Sequence, residues 1–431
     1  MGGRRMNRSD RREFMKHATA VVGGLAAVAI WPEAELARAA QPSAGELSVG
    51  IIGAGRQGRA IIGELQKLAG VKITAICDTD QGRLDAGLRR AAGAVGYKSH
   101  AELLEKAKDV QAVIIATPTH LHKDIALDAI GSGRHVYCEA PMAHTIEDCR
   151  AIAKAAQESR NVFAAGLEAR SNPIYKLART FFKSDAVRDL VAVRAQANQK
   201  TSWRTPASDP ARERELNWRL DPAISLGLVG EWGVQQIDTV NFYLGKYPTA
   251  VRGMGGIRLH ADGREVADTI QCEFTLPAPG TTGVGGGAGP VFSYSATLAN
   301  SYDGKYEVFY GTNAAIKLAW SHGWMFKEAD APTQGWEVYA NRQQFHNDEG
   351  ITLIADATKL ASQGKLKEGI GLPESSLYYA LADFVRSAVE GKPAACSADD
   401  GLKATAIAIL ANKAIVSGER ITIEDSALKV G

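Results

Sequence analysis

Apolar and polar positions follow two different rhythms along this chain. In the first, short apolar stretches alternate with helical repeats. Leu47–Ile52 is an apolar run of strand length, and Ile61, Ile62, Leu65 and Leu68 then recur on one helix face. Residues 71–78 (VKITAICD) form a second apolar strand ending on Asp78, and residues 112–118 (AVIIATP) a third. A helix closed by the glycines of 131–133 leads into 135–141 (HVYCEAP), and a helix over 146–158 leads into 161–166 (NVFAAG). Apolar strands alternating with amphipathic helices predict βαβ units and a parallel sheet.

After Gly166 the rhythm changes. Residues 190–199, 250–260, 268–276, 291–300 and 305–320 read as strands mostly joined without long helices. They predict a large, mostly antiparallel sheet with one face buried. The glycine-rich stretch 277–290 reads as a hairpin loop, since no strand-to-helix context makes it a phosphate cradle. Residues 375–391 and 401–418 return to helical spacing. The predicted fold class is α/β, with an N-terminal α/β domain over 46–166 and a C-terminal α+β domain over 167–431 built on an open sheet.

The first 39 residues follow neither rhythm. Arg11 and Arg12 precede an apolar run, Ala18 to Ile30, too short for the ~20 residues that span a bilayer. Small residues at Ala37–Ala39 offer a cleavage site. Paired arginines before such a run resemble a twin-arginine signal, which implies the twin-arginine translocase as a partner and a periplasmic or otherwise exported location. Proteins taking that route are exported folded, often with a cofactor inside.

Charge and cysteines narrow the partners. Residues 1–39 carry seven Lys/Arg and four Asp/Glu; the rest of the chain holds 43 basic and 44 acidic groups, a formal charge near −1. That balance argues against nucleic acid and anionic membrane surfaces. The five cysteines are scattered without a C-x-x-C pair, so no metal site is expected.

Gly53, Gly55 and Gly58 form G-x-G-x-x-G between a strand and a helix, and Asp78 closes the next strand. This is the context a dinucleotide requires: the glycines allow a tight turn, and the pyrophosphate meets the helix N-terminus. Arg56 and Gln57 lie inside the motif. A carboxylate at Asp78 accepts from the adenine ribose and repels a 2′-phosphate, which favours NAD over NADP, although Arg83 is nearby.

Residues 116–122 (ATPTHLH), 135–145 (HVYCEAPMAHT), 170–175 (RSNPIY) and 227–245 complete the picture. Together with the C-terminal helices they resemble the Gfo/Idh/MocA family of oxidoreductases. The resemblance covers nearly all of 46–425. It implies a Rossmann domain, a second domain whose open sheet covers the active site, last helices that return to the Rossmann part, and a homo-oligomer. It makes Thr117, Pro118, His120, His122, Glu139 and Pro141 cofactor-loop residues. It also implies hydride transfer between nicotinamide and a sugar-like carbinol, with the hydroxyl proton removed by a lysine, an aspartate and a histidine. At those positions this chain carries Ala140, Glu231 and Gln235.

Three readings follow. The leading one is an exported NAD-dependent oxidoreductase acting on a sugar or polyol carbinol. The second is a redox-neutral NAD-dependent glycosidase, in which oxidation of a ring hydroxyl acidifies the neighbouring C–H, elimination and hydration follow, and the ketone is reduced again. The third is a sugar-binding module with structural NAD. All three imply a tightly bound NAD, since no free pool is expected outside the cytoplasm. Catalytic candidates are Glu231, with Gln235 donating to a substrate oxygen, and Lys200 or His144 as other proton carriers. Trp203, Arg204, Trp218, Arg219, Arg170 and Asp238 are candidates for a small carbohydrate or glycoside substrate, since aromatic faces and forked donors suit sugar rings.

Overall fold

In a computed structural model, the described residues are 46–207, 209–277, 289–333, 342–345, 348–353 and 371–431. The signal-like segment and most of the glycine-rich stretch lie outside them. The first rhythm becomes a sheet of β1 (Leu47–Ile52), β2 (Val71–Cys77), β3 (Val95–Tyr97), β4 (Ala112–Ile115), β5 (His135–Glu139) and β6 (Phe163–Gly166). These strands are parallel in the order β3-β2-β1-β4-β5-β6. The helices α1 (Arg56–Leu65), α2 (Gln81–Leu88), α3 (His100–Lys106), α4 (His122–Gly131) and α5 (Ile146–Glu158) connect them. Side-chain caps at Asp80, Ser99 and Thr145 fix where α2, α3 and α5 begin. The strand order reverses between β1 and β4, which opens a crevice at their carboxyl ends. The glycine turn and Thr117 lie there.

The second rhythm becomes a ten-stranded sheet, among the described residues, in the order β14-β15-β13-β12-β11-β7-β10-β9-β8-β16. Its strands are β7 (Leu190–Asn198), β8 (Ala250–Gly256), β9 (Thr269–Thr275), β10 (Val291–Thr297), β11 (Lys305–Gly311), β12 (Ala314–Ala319), β13 (His322–Lys327), β14 (Arg342–Phe345), β15 (Asp348–Leu353) and β16 (Ile421–Thr422). All neighbours are antiparallel except β7 and β10. The fold class is therefore the one expected. Alternation along β10 buries Phe292, Tyr294 and Ala296. On that face lie α6 (Pro173–Lys183), α7 (Gly227–Glu231) and α8 (Gly233–Leu244): Tyr175 of α6 donates to Glu307 at 2.6 Å, and Tyr243 of α8 stacks on Phe309.

Two C-terminal helices join the halves. In α9 (Ser376–Glu390), Leu377, Leu381 and Phe384 share a core with Ile61, Ile62 and Leu65 of α1. α10 (Ala398–Ser417) packs on α5 and β8, and its Thr405 hydroxyl accepts from the Met142 N–H at 3.0 Å. The turn after β5 is thereby fixed from the far end of the chain.

Candidate active site

The two halves enclose a cavity of about 970 Å³. Its Rossmann wall begins at the glycine turn. Gly53 has φ +98°, and a Cβ there would lie 2.7 Å from the Ala116 backbone. At Gly58 a Cβ would lie 1.9 Å from the Gly53 oxygen, whereas at Gly55 it would meet open space. The first and third glycines are thus required by packing, and the second opens onto the cavity, as a pyrophosphate against the helix N-terminus needs. Arg56, Gln57, Thr117 and Pro118 line the same wall. The Thr117 hydroxyl oxygen is buried with no hydrogen-bond partner among the described residues. Open backbone and an orphaned hydroxyl fit a dinucleotide.

Other groups on this wall are already engaged. Asp78 is 8% exposed, accepting from Ala54 N–H at 2.8 Å and Asp80 N–H at 2.9 Å. It braces the glycine turn and does not line the cavity, although its carboxylate keeps lone pairs for a ribose. His122 is buried between the Pro141 and Thr117 carbonyls, each 2.9 Å from a ring nitrogen. A neutral imidazole has one N–H, so it bonds one carbonyl at a time. Burial pushes its pKa down to about 4. It therefore ties two loops together, and Pro141 is buried beneath it. The Glu139 carboxylate accepts from Gln57 Nε2 at 3.0 Å, and burial pushes its pKa up to about 7.

On the second wall the chain turns between α7 and α8. The sequence places Glu231 and Gln235 one turn apart on a single helix, but the helix breaks at Trp232, between Gly227–Glu231 and Gly233–Leu244. Glu231 faces the cavity with its side chain 3% exposed. The Thr119 hydroxyl lies 3.3 Å and the Arg219 Nε 3.7 Å from its Oε2. Burial raises its pKa, and Arg219 opposes the rise. Around it Trp203 and Trp232 meet edge to face at 5.3 Å, and the Arg219 guanidinium lies 4.3 Å from the centre of the Trp218 ring.

Several expected residues do other work. The Gln235 amide lines the cavity but spans the backbone, accepting from Glu168 N–H at 3.1 Å and donating to Gly166 O at 2.8 Å. That bracing takes the place of the substrate contact expected. Lys200 is exposed and off the cavity, and its backbone N–H donates to Ser301. His144 and His120 sit behind the wall with ring centres 6.4 Å apart, and His120 leans on Trp218 at 5.9 Å. Arg170 and Asp238 form a buried pair at 2.8 Å, with Arg170 also 3.0 Å from Asp400 of α10. They join α8 to α10 and do not line the cavity, which corrects their assignment to the substrate. Arg204 does line it, but its guanidinium is engaged by Asp262 and Glu213.

Among the lining residues the sequence reading missed, two carry ionisable groups deep in the cavity. Glu168, just past β6, has its pKa pushed up to about 8 by burial and by Glu139. Lys305, the first residue of β11, has Nζ 5.2 Å from the centre of the Trp232 ring. No motif marks either.

Comparison with known proteins agrees with this architecture. The model "Oxidoreductase family, NAD-binding Rossmann fold" matches residues 47–167, and "GFO/IDH/MocA C-terminal domain" matches 175–317. The chain belongs to the Gfo/Idh/MocA oxidoreductase family. Among the family's curated members, α-N-acetylgalactosaminidase of Shewanella oneidensis is 33% identical over 177 residues, 36% of this chain and 38% of that protein. The 2,7-anhydro-N-acetylneuraminate hydratase of Escherichia coli is 24% identical over 272 residues, 63% of this chain and 67% of that protein. The first match thus spans well under half of its relative. Levoglucosan dehydrogenase in complex with NADH and L-sorbose superposes with TM-score 0.68 at 19% identity, over 88% of this chain and 99% of that one. An oxidoreductase domain protein from Kribbella flavida gives 0.69 at 20% identity, over 88% and 100%. At such identity these two structures speak for the fold.

Proposed function

We propose that this family member oxidises a carbinol carbon of a carbohydrate with an NAD that stays bound between turnovers and is regenerated by passing its hydride to a second carbonyl compound. The observation that carries the reading is Glu231, a buried carboxylate facing the same cavity as the open Gly55 backbone and the orphaned Thr117 hydroxyl. A dinucleotide held at Gly55, Arg56 and Thr117 would supply the hydride acceptor. Glu231 accepts the hydroxyl proton, and its raised pKa brings it nearer the value an efficient base needs. Trp203, Trp218 and Trp232 offer faces to a sugar ring. Retention is supported by a strap: Arg212 leaves the second half of the chain and pairs with Asp80, two residues beyond Asp78. Arg59 and Arg83 line the cavity near that end. NAD is proposed over NADP because Asp78 stands at the end of β2, and the nucleotide released on denaturation decides.

A second reading is favoured by the curated relatives, a glycosidase and a hydratase by name. In it the same oxidation opens a redox-neutral cycle of elimination, hydration and reduction. Purified protein would be mixed with p-nitrophenyl N-acetyl-α-galactosaminide, with 2,7-anhydro-N-acetylneuraminate and with free sugars and polyols. Oxidised sugar beyond one equivalent of protein, formed only with an added carbonyl compound that is itself reduced, supports net oxidation. Cleaved or hydrated product with neither an oxidised sugar nor a reduced acceptor supports the cycle. Bound sugar with neither leaves a binding module. Export by the twin-arginine route belongs to the same proposal, as does self-association through the open sheet. Cytoplasmic trapping of Arg11→Lys/Arg12→Lys and the sedimentation mass test them; unchanged export, or a monomer, removes each.

A further inference from the structure

The cations on the cavity differ in what they have to do. Arg204 is held by Asp262 and Glu213. Arg56 stands beside the glycine turn, where a pyrophosphate would meet it. Arg59 and Arg83 line the end of the cavity near Asp80, and Lys305 and Arg219 are left beside Trp232 and Trp218. Among the described residues Lys305 has no ion pair and no hydrogen bond from Nζ; its neighbour is the Trp232 ring at 5.2 Å. It is exposed to the cavity, on the same face of β11 as Glu307, which is bonded to Tyr175. Arg219 has its guanidinium carbon 4.3 Å from the centre of the Trp218 ring and Glu231 at 3.7 Å as its acidic partner. A guanidinium over an aromatic ring can still make a forked contact through its N–H groups.

Of the acidic groups nearby, Glu231 stands 3.7 Å from Arg219, and none forms an ion pair with Lys305 among the described residues. Glu139 and Glu168 are pushed up to about 7 and about 8, and Glu307 to about 8, by burial first in each case. A large share of the three is therefore uncharged near neutral pH. Arg56 adds a further positive charge towards both Lys305 and Arg219. The cavity holds cations in excess, and an anionic ligand entering it meets their field.

We propose that the carbohydrate taken by this site carries a carboxylate, held by Lys305 and Arg219. The inference rests on the carbohydrate reading above and narrows its substrate class to sugar acids. The guanidinium fork meets both carboxylate oxygens, while Lys305 supplies a point charge from the sheet. The reacting carbinol then lies between this clamp and the glycine turn, on the side of Glu231. Neutral sugars leave Lys305 without an anion.

The test is calorimetric titration of the protein as purified, with N-acetylneuraminate and glucuronate against N-acetylgalactosamine and glucose. The acidic sugars are expected to bind at least about tenfold more tightly, the scale of one charge-assisted contact. Lys305→Met should remove most of that preference and Lys305→Arg should keep it, with bound dinucleotide, assayed after denaturation, unchanged in both. Equal binding of neutral and acidic sugars, no binding of either acidic sugar, or an unchanged preference in Lys305→Met overturns the proposal. So does tighter binding of glucose 6-phosphate than of glucuronate. Protein that binds sugar acids but releases no dinucleotide would sink the oxidation reading and leave the clamp standing.

Discussion

The two walls of the cavity are built on opposite plans. On the Rossmann wall, polar side chains are consumed by the protein itself: Asp78 by two backbone N–H groups, His122 by two carbonyls, Glu139 by Gln57. What it offers outward is mostly backbone, at Gly55, with one unpaired hydroxyl at Thr117. On the second wall the side chains face outward with little to hold them: Trp203, Trp218, Trp232, Arg219 and Lys305 meet chiefly one another's rings. A wall whose groups are fixed in advance suits a ligand that never varies. A wall of loosely engaged aromatics and cations suits the ligand that distinguishes one family member from another. Glu231 stands at the seam, touching Thr119 of one wall and Arg219 of the other.

If the seam is where chemistry happens, Glu231→Gln has the largest effect. It keeps shape and hydrogen bonding and removes the titrating group. Turnover of any sugar the protein accepts should fall at least about a hundredfold with dinucleotide still bound, the usual contribution of an acid–base group being ~10²–10⁴-fold. A loss within about tenfold would take Glu231 out of the reaction.

The Rossmann wall is probed next by Asp78→Ala. Because this carboxylate braces the glycine turn, its loss should weaken nucleotide binding by about 1–3 kcal/mol, the scale of losing charge-assisted bonds to a buried acceptor. It should also lower the melting temperature of nucleotide-free protein. Weakened binding with an unchanged melting temperature would mean that Asp78 acts on the ribose alone. Arg212→Ala loosens the strap between the walls. Its ion pair with Asp80 is partly exposed, so an effect of about 1 kcal/mol or less is expected, read as several-fold faster exchange of bound NAD with labelled NAD. Equal exchange rates would show that the strap does not hold the cofactor.

A further effect is on the pH dependence of stability. Glu139, Glu168 and Glu307 have folded pKa values of about 7, 8 and 8 against an ordinary 4.5. Between about 4.5 and 8 the native protein holds more protons than the unfolded chain, so stability falls as pH rises through that window. His122, at about 4 against 6.5, works the other way: its contribution is lost as pH falls from 6.5 through 4. Melting temperature should therefore decline from mildly acidic to mildly alkaline pH, and Glu307→Gln should flatten the decline. An equally steep decline in the variant would assign it to other groups.

The sequence by itself determined the Rossmann wall. A six-residue glycine pattern, the strand before it and the acid after it are neighbours along the chain, and the sterics of a βα turn leave such residues one arrangement. It also determined the second sheet, since alternation along strands such as 291–297 shows which face is buried. The tertiary structure alone decided who faces whom. Residue 305 reaches the cavity because β11 pairs with β7 in a register that sets Lys305 opposite Ala197, and α7 brings Trp232 beneath it. Arg170 and Asp238, which resembled substrate ligands, are turned to Asp400 by the return of α10. Gln235 is drawn to the backbone of Gly166 and Glu168 because the helix breaks at Trp232. Periodicity encodes the burial of a side chain. It carries no record of the partner, which may lie more than a hundred residues away and is chosen by packing.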